Sequence, residues 1–272
     1  MPAPVNTFKA ALREGRAQIG LWVALTSPYT AEICGGAGYD WLVIDAEHAP
    51  NDIQTLVSQM QALAKYPVHP IIRPPIGEAW IIKQILDIGA QTVLVPMVET
   101  KEQAEAMVRA MRYPPHGMRG VGAALARASN FNRVPDYLQS ANDEVCLLLQ
   151  IESRAGLANL DAIASVEGVD GVFIGPADLA ADMGFLGKPG APEVQAAVED
   201  ALKRIQGHGK AAGILTADQA LAARYIEIGA RFIGIGSDVG LFVNATSRLI
   251  DDFRGKTKPP PVTTVKGGGQ VY

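Results

Sequence analysis

The chain has little cysteine, and the two cysteines it has are far apart. Cys34 and Cys146 are the only ones among 272 residues, and they form neither a CxxC motif nor another metal-ligand spacing. A cysteine-based metal site is therefore not expected. Because unpaired cysteine is among the most buried residue types, the sequence predicts two small apolar side chains in the core.

Charge is also sparse, and no apolar run is long. Charged residues make up 19% of the chain, with 24 basic against 28 acidic side chains, and no run of five basic residues occurs. Nucleic-acid binding is therefore not expected. The low charge agrees with a surface partly covered by other subunits. No stretch reaches signal-peptide or membrane-spanning length, so we expect a cytoplasmic protein without a membrane partner.

Eight short apolar runs are present, and each is continuously apolar rather than alternating. This pattern is typical of parallel strands that are buried on both faces. The predicted strands span residues 19–23, 41–45, 69–73, 92–96, 145–152, 171–175, 211–215 and 232–236.

A helical pattern follows each predicted strand. The predicted helices span residues 29–37, 52–64, 78–88, 100–112, 155–165, 193–206, 217–228 and 238–253. In the clearest of them, Thr100 and Gln103 form a capping box. Gly38, Gly89 and Gly229 end three others, each just before a strand.

Eight alternating strand–helix units predict an α/β fold, a (β/α)8 TIM barrel, within residues 1–254. A doubly wound sheet is the rival, but the first strand lacks the glycine-rich turn typical of that fold. Two long insertions, 113–144 and 176–192, are expected on the functional side of the barrel. Residues 255–272 are rich in proline and glycine, and we expect them to be disordered.

Polar residues follow four neighbouring predicted strands. Asp45, Glu47 and His48 follow the second, Arg73 ends the third, Gln150 and Glu152 end the fifth, and Asp178 follows the sixth. In a barrel, the carboxyl ends of the strands carry the active site. Glu152 and Asp178 could hold one divalent cation, for which Mg²⁺, Mn²⁺ or Co²⁺ suits carboxylate and water ligands; the alternative is two solvated acids.

Of the four histidines, His48 is the one that directly follows a strand end. It could exchange a proton at neutral pH, or it could be a structural histidine. Arg73 could bind a carboxylate or an enolate oxygen, or simply pair with Asp45 or Glu47. No lysine lies at a strand end, which excludes an aldolase that works through a lysine imine.

Seven motifs resemble the HpcH/HpaI aldolase family over roughly residues 5–253. They are IDAEHAP (44–50), IIRPP (71–75), KQILDIGAQTVLVPMVET (83–100), YPPHGMRGVG (113–122), LARASNF (125–131), QIESRAG (150–156) and GVDGVFIGPADLAADMG (168–184). The resemblance implies a barrel of the phosphoenolpyruvate/pyruvate type. It also implies class II aldolase activity that depends on a divalent metal.

The resemblance assigns catalytic roles to five residues. Glu152 and Asp178 resemble the metal-binding carboxylates of the family. His48 resembles the general acid/base, and Asp87 the acid paired with it, although the pattern alone places Asp87 on a helix. Arg73 resembles the arginine that binds the 2-oxo acid and stabilises the enolate.

Five further residues resemble positions that surround the substrate. Gln150 resembles a substrate-contacting glutamine, and Gly175 and Ala177 resemble the backbone that receives the substrate carboxylate. Leu215 resembles a contact on the acceptor side, and Asp45 a residue close to the waters on the metal.

Members of this family cleave 4-hydroxy-2-oxo acids, such as 4-hydroxy-2-oxoheptanedioate, to pyruvate and an aldehyde such as succinic semialdehyde. The resemblance also implies hydroxypyruvate as an alternative donor. The family also implies a homo-oligomer, a hexamer built as a trimer of dimers, in which the C-terminal helix is swapped between subunits. The alternatives are a 2-dehydro-3-deoxyglucarate aldolase, a lyase of the citrate-lyase or malyl-thioester type, a phosphoenolpyruvate mutase-like enzyme, and a barrel that only binds metal and 2-oxo acid.

Overall fold

The computed structural model describes residues 2–255, and these form a closed barrel of eight parallel strands in sequence order. The TIM-barrel prediction is confirmed. The strands are β1 (Gln18–Val23), β2 (Trp41–Asp45), β3 (His69–Arg73), β4 (Thr92–Val95), β5 (Cys146–Ile151), β6 (Gly171–Ile174), β7 (Ala211–Leu215) and β8 (Phe232–Ser237). Apart from Gly255, the predicted disordered tail lies outside the described residues, and the division into domain and tail stays a prediction.

Twelve α-helices occur in the described part of the chain. They are α1 (Thr7–Arg13), α2 (Pro28–Gly35), α3 (Ile53–Leu63), α4 (Ala79–Asp87), α5 (Lys101–Met111), α6 (Tyr137–Glu144), α7 (Arg154–Ala158), α8 (Leu160–Ala164), α9 (Pro176–Asp182), α10 (Pro192–Gly207), α11 (Gln219–Ile228) and α12 (Asp238–Phe253). The sequence did not predict α1, α6 or α9, and the helix predicted over 155–165 is two short helices.

Local signals explain where several of these helices begin and end. Thr100 and Gln103 form the predicted capping box of α5. Gly38, Gly89 and Gly229 have φ angles of 95°, 102° and 115°, in the left-handed region that glycine tolerates. Each of these glycines therefore turns the chain from a helix towards the next strand.

The core has two layers. Large side chains fill the inside of the barrel, among them Trp22, Trp41, Phe173 and Phe232. Aliphatic side chains fill the layer between the strands and the helices. Helix α1 closes the amino-terminal end of the barrel, where Phe8 stacks on His69 with ring centroids 5.5 Å apart. The two cysteines are buried and unpaired, as predicted.

The long insertion of residues 113–144 lies on the opposite side from the one expected. It connects the end of α5 to the start of β5, and barrel helices run antiparallel to the strands they follow. The insertion therefore begins and ends at the amino-terminal end of the barrel. Residues 176–192 follow β6 and begin at the carboxyl end, as expected. None of the helices within residues 2–255 combines the length and apolarity needed to cross a bilayer.

Candidate active site

The mouth of the barrel carries a group of buried polar side chains. Asp45, Arg73 and Gln150 are 2% exposed, and Glu152 is 3% exposed. Asp45 and Arg73 are the last residues of β2 and β3, and Glu152 directly follows β5. Because parallel strands all end on the same side of the barrel, the fold gathers residues that lie far apart in the sequence.

The Arg73 guanidinium is held by two carboxylates. Its Nε and Nη2 donate to Asp45 at 2.8 and 2.6 Å, and its Nη1 lies 2.7 Å from Glu47 Oε2. Its central carbon also lies 5.5 Å from the centre of the Trp22 ring. These contacts fix the orientation of the guanidinium, since a planar fork matches a carboxylate in only a few ways.

Glu47 connects Arg73 to His48. Its Oε2 lies 3.8 Å from His48 Nε2, and the Glu47 side chain is 14% exposed. Burial raises the pKa of Glu47, although the charges of Arg73 and His48 oppose the shift. Sequence analysis considered Glu47 only as a partner of Arg73. Its position directly before His48 in IDAEHAP was the signal that it could contact both residues.

Glu152 is fixed in a narrow space. One carboxylate oxygen accepts from the Met97 backbone N–H at 2.9 Å, and the other accepts from Gln150 Nε2 at 2.5 Å. A Cβ atom on Gly175 would lie 2.5 Å from Glu152 Oε2, so only glycine leaves room for this carboxylate. Met97 adopts a left-handed φ of 54°, which is uncommon for a residue with a side chain.

The electrostatics of Glu152 favour a nearby cation. Burial raises its pKa to about 7, and the negative charges of Glu47 and Asp178 contribute in the same direction. Asp178 lies in the first turn of α9 and is half-buried. Asp45 and Glu47 pair with the buried Arg73, whereas the charges of Glu47 and Asp178 act on Glu152. The mouth therefore holds more carboxyl groups than cations, and a divalent ion would neutralise the excess negative charge.

The donor set fits a hard divalent ion that keeps several waters. Within residues 2–255 no group of three or more His, Cys, Asp or Glu side chains could enclose a metal. Glu152 and Asp178 would leave the other coordination positions to water and substrate, as Mg²⁺-type ions often do. A closed tetrahedral zinc site does not fit these residues.

A solvent-open cavity of about 720 Å³ extends from this group, and several predicted substrate-binding residues line it: Arg73, Gln150, Gly175, Ala177 and Leu215. Trp22 also lines it. Among the described residues, Trp22 Nε1 and Gln150 Oε1 are buried without a hydrogen-bond partner. An unpaired donor and an unpaired acceptor on a cavity wall are suited to a polar ligand. Sequence reasoning missed Trp22, which lies inside an apolar strand.

Asp87 does not join this group within one chain. It is the last residue of α4, which places it towards the amino-terminal end of the barrel, and its Oδ1 accepts from Arg119 Nη2 at 2.7 Å. Arg119 is buried and lies over the Tyr113 ring at 4.3 Å. The expected pairing of Asp87 with His48 is therefore absent in the single described chain, because helix α4 runs away from the mouth.

The chain is similar in sequence to known proteins over most of its length. A family model described as HpcH/HpaI aldolase/citrate lyase matches residues 18–245. The chain is 59% identical to a hydroxypyruvate/pyruvate aldolase of Deinococcus radiodurans, with all of both chains covered. It is 56% identical to a 4-hydroxy-2-oxo-heptane-1,7-dioate aldolase of Escherichia coli, covering 97% of this chain and 98% of the relative.

The fold is also similar to that of a solved structure. A HpcH/HpaI aldolase/citrate lyase family protein of Burkholderia cenocepacia is 41% identical and superposes with a TM-score of 0.89. That comparison covers 92% of this chain and 100% of the other.

Proposed function

Because the chain belongs to the HpcH/HpaI aldolase/citrate lyase family and is therefore an aldolase, a carbon–carbon lyase, we propose that it cleaves 4-hydroxy-2-oxo acids to pyruvate and an aldehyde. Both pyruvate and hydroxypyruvate are proposed as donors in the reverse direction. The observation that carries the proposal is the buried Glu152 carboxylate, which lies in the same mouth as the doubly paired Arg73.

Glu152 and Asp178 are the proposed metal ligands. When bound, a divalent ion such as Mg²⁺, Mn²⁺ or Co²⁺ would polarise the keto group of the 2-oxo acid. Gly175 and Ala177 would receive the substrate carboxylate. The Ala177 N–H lies in the first turn of α9, where N–H groups have no acceptor within the helix. The Gly175 N–H already donates to the Ile151 carbonyl at 3.0 Å, so Gly175 would contribute space beside the carboxylate rather than a hydrogen bond. Gln150 would contact the substrate through its unpaired Oε1, and Asp45 would lie close to waters in the site.

His48 and Arg73 are the proposed catalytic side chains. His48 takes the proton from the 4-hydroxyl group, the C4–O bond becomes a carbonyl, and the C3–C4 bond breaks. Its electron pair moves into the pyruvate part and forms an enolate. Arg73 stabilises the negative oxygen through its fixed guanidinium, and it does not need to reorient as the charge develops.

Assembly into a homo-oligomer is also part of the proposal. Helix α12 exposes several large apolar side chains: Leu241, Phe242, Val243, Leu249 and Phe253 are between 53% and 87% exposed. Such a surface supports a swapped C-terminal helix and the hexamer that the family implies. Asp87 could then assist His48 only from a second copy, since its own α4 ends away from the mouth.

The cytoplasmic location remains part of this proposal.

A coupled assay tests the proposal. The metal-stripped enzyme is incubated with 4-hydroxy-2-oxo acids, without coenzyme A, and pyruvate release is followed after separate addition of Mg²⁺, Mn²⁺ or Co²⁺. We expect activity only with metal, and its loss in Glu152→Gln and Asp178→Asn. The matched control is Asp182→Asn, which removes an exposed carboxylate at the end of α9. Full turnover in chelated solution, or turnover only with a thioester, would contradict the proposal.

A further inference from the structure

His48, the proposed proton-transfer residue, lies in a loop without regular secondary structure. This loop, residues 46–52, connects β2 to α3, and the His48 side chain is 58% exposed. Its Nε2 lies 3.8 Å from Glu47 Oε2, which is longer than a hydrogen bond. A proton-transfer group must nevertheless come within hydrogen-bond reach of the group that it deprotonates. The position of the imidazole therefore depends on how the loop itself is held.

Two side chains hold the loop from its two ends. Asn51 Nδ2 donates to the Asp45 carbonyl at 2.6 Å, which ties the loop back to the last residue of β2. The Asp45 carboxylate in turn accepts from the Glu47 backbone N–H at 3.0 Å. The chain from Asp45 to Asn51 is thus closed on itself, and His48 lies at its middle.

A buried glutamine orients Asn51. Gln59 lies on α3 and is 0% exposed, and its Nε2 donates to Asn51 Oδ1 at 2.7 Å and to the Thr55 carbonyl at 3.2 Å. These two bonds use both hydrogens of the Gln59 amide. The opposite orientation would place Gln59 Oε1 against two acceptors, so the amide donates to Asn51. Asn51 then accepts through Oδ1, and its Nδ2 is left to bind the Asp45 carbonyl.

Gln59 is unfavourable for packing. The other buried side chains of α3 are apolar: Leu56, Met60 and Leu63. In the part of the chain that the structure describes, Gln59 Oε1 is buried without a hydrogen-bond partner, and such an atom destabilises the folded state. A methionine of similar length would fill the same space without this loss. The contact with Asn51 therefore explains the amide better than packing does.

We propose that Asn51 and Gln59 are positioning residues for His48: they close the 45–51 loop and hold the imidazole where it can take the substrate proton. This inference rests on the proposed aldolase function and extends it to two residues that act through His48. Neither of the two is among the residues that line the cavity at the mouth.

Three variants compare turnover with stability. Asn51→Leu removes the amide without adding charge, and kcat for pyruvate release should fall about tenfold or more, since a small displacement of a reacting group slows the reaction strongly. Gln59→Met should lower kcat about three- to tenfold while the melting temperature stays the same or rises, because the unpaired buried oxygen is gone. The double variant should melt at a higher temperature than Asn51→Leu, which leaves the Gln59 amide unpaired, yet keep the low kcat.

A His48→Ala background shows whether the two residues act through the imidazole. There, Asn51→Leu and Gln59→Met should each change the remaining kcat by less than about twofold, because the group that they position is absent. Titration with Mn²⁺ should give metal affinities near that of the wild type for both variants. The matched control is Gln61→Met, the same substitution at an exposed position of α3, which should leave kcat unchanged.

The outcomes separate this inference from the function it rests on. A wild-type kcat in both Asn51→Leu and Gln59→Met would overturn the inference and leave the aldolase function intact. So would an equal loss of kcat with and without His48, or a loss of kcat matched by a loss of metal affinity. Asn51 is only half-buried, so Asn51→Leu provides a test even where Gln59→Met does not fold. Absence of metal-dependent pyruvate release by the wild type would instead overturn the aldolase proposal.

Discussion

Arg73 and Asp45 lie opposite each other in the register of β3 and β2, and their side chains form a two-point ion pair at 2.8 and 2.6 Å. Both side chains are about 3% exposed. The strand register and the ion pair therefore both fix the position of the Arg73 guanidinium. This explains how a flexible side chain can be preorganised before the substrate binds.

Arg73→Lys should reduce kcat by on the order of 10², which is typical for loss of one donor to a developing oxyanion. Lysine keeps the positive charge but lacks the fork that pairs with Asp45 and Glu47 at once. Steady-state kinetics and metal titration check this, with metal affinity expected to stay near that of the wild type. Arg204→Lys, in an exposed pair with Asp161, is the matched control. A normal kcat in Arg73→Lys would remove the role in enolate stabilisation.

His48→Ala should lower kcat by on the order of 10² to 10⁴, the usual effect of removing a proton-transfer group. The His48 side chain is 58% exposed and forms no hydrogen bond with Glu152 or Asp178, so metal binding should persist. Isothermal titration with Mn²⁺ and the pyruvate assay measure the two properties separately. His208→Ala removes a surface histidine paired with Asp161 and should change neither. Equal losses of metal affinity and activity in His48→Ala would argue for a structural role.

Gly175→Ala should weaken metal binding by about tenfold or more, as is common when a residue that orients a ligand is changed. The added Cβ would meet Glu152 Oε2 at 2.5 Å, and the carboxylate would have to leave its position between Met97 and Gln150. Metal-dependent shifts in melting temperature provide the measurement. Gly207→Ala is the control, because a Cβ there meets nothing within 4 Å. Unchanged metal affinity in Gly175→Ala would show that the Glu152 carboxylate has room to move.

His69 should make the barrel less stable in acid. Burial lowers its pKa from the ordinary 6.5 to about 4, so the unfolded chain binds a proton more readily than the folded one between these values. Stability is therefore lost as the pH falls from about 6.5 to about 4, by about 3 kcal/mol.

Urea unfolding at several pH values checks this prediction. His69→Gln should show a smaller loss than the wild type, and the difference between the two curves isolates His69 from the buried carboxyl groups. His116→Gln, at an exposed position, should follow the wild-type curve. Parallel curves for the wild type and His69→Gln would refute the assignment.

Sequence patterns predicted the barrel well, because each strand is a continuous apolar run that must be buried on both faces. The expectation that site residues follow strand ends also selected a set of polar residues: Asp45, His48, Arg73, Glu152 and Asp178. In the structure each of them ends a barrel strand or follows one within a few residues, on the same side of the barrel. The same expectation underestimated Glu47, which contacts both Arg73 and His48. Those contacts depend on the direction of the side chain, which the sequence does not show. It also could not show that the Met97 backbone N–H faces Glu152.

The sequence by itself determined the order of the eight strands and the helical segments that follow them, since periodicity and capping are local properties of the chain; it did not reveal α1, α6 or α9. Only the tertiary structure decided which side chains lie next to each other and at which end of the barrel each loop lies. Within one chain it placed Asp87 beside Arg119 and away from His48, and it placed residues 113–144 at the amino-terminal end, because a helix between parallel strands must run back along the barrel. It also brought Gln195 and Tyr225 together on the wall of the cavity, from two different helices.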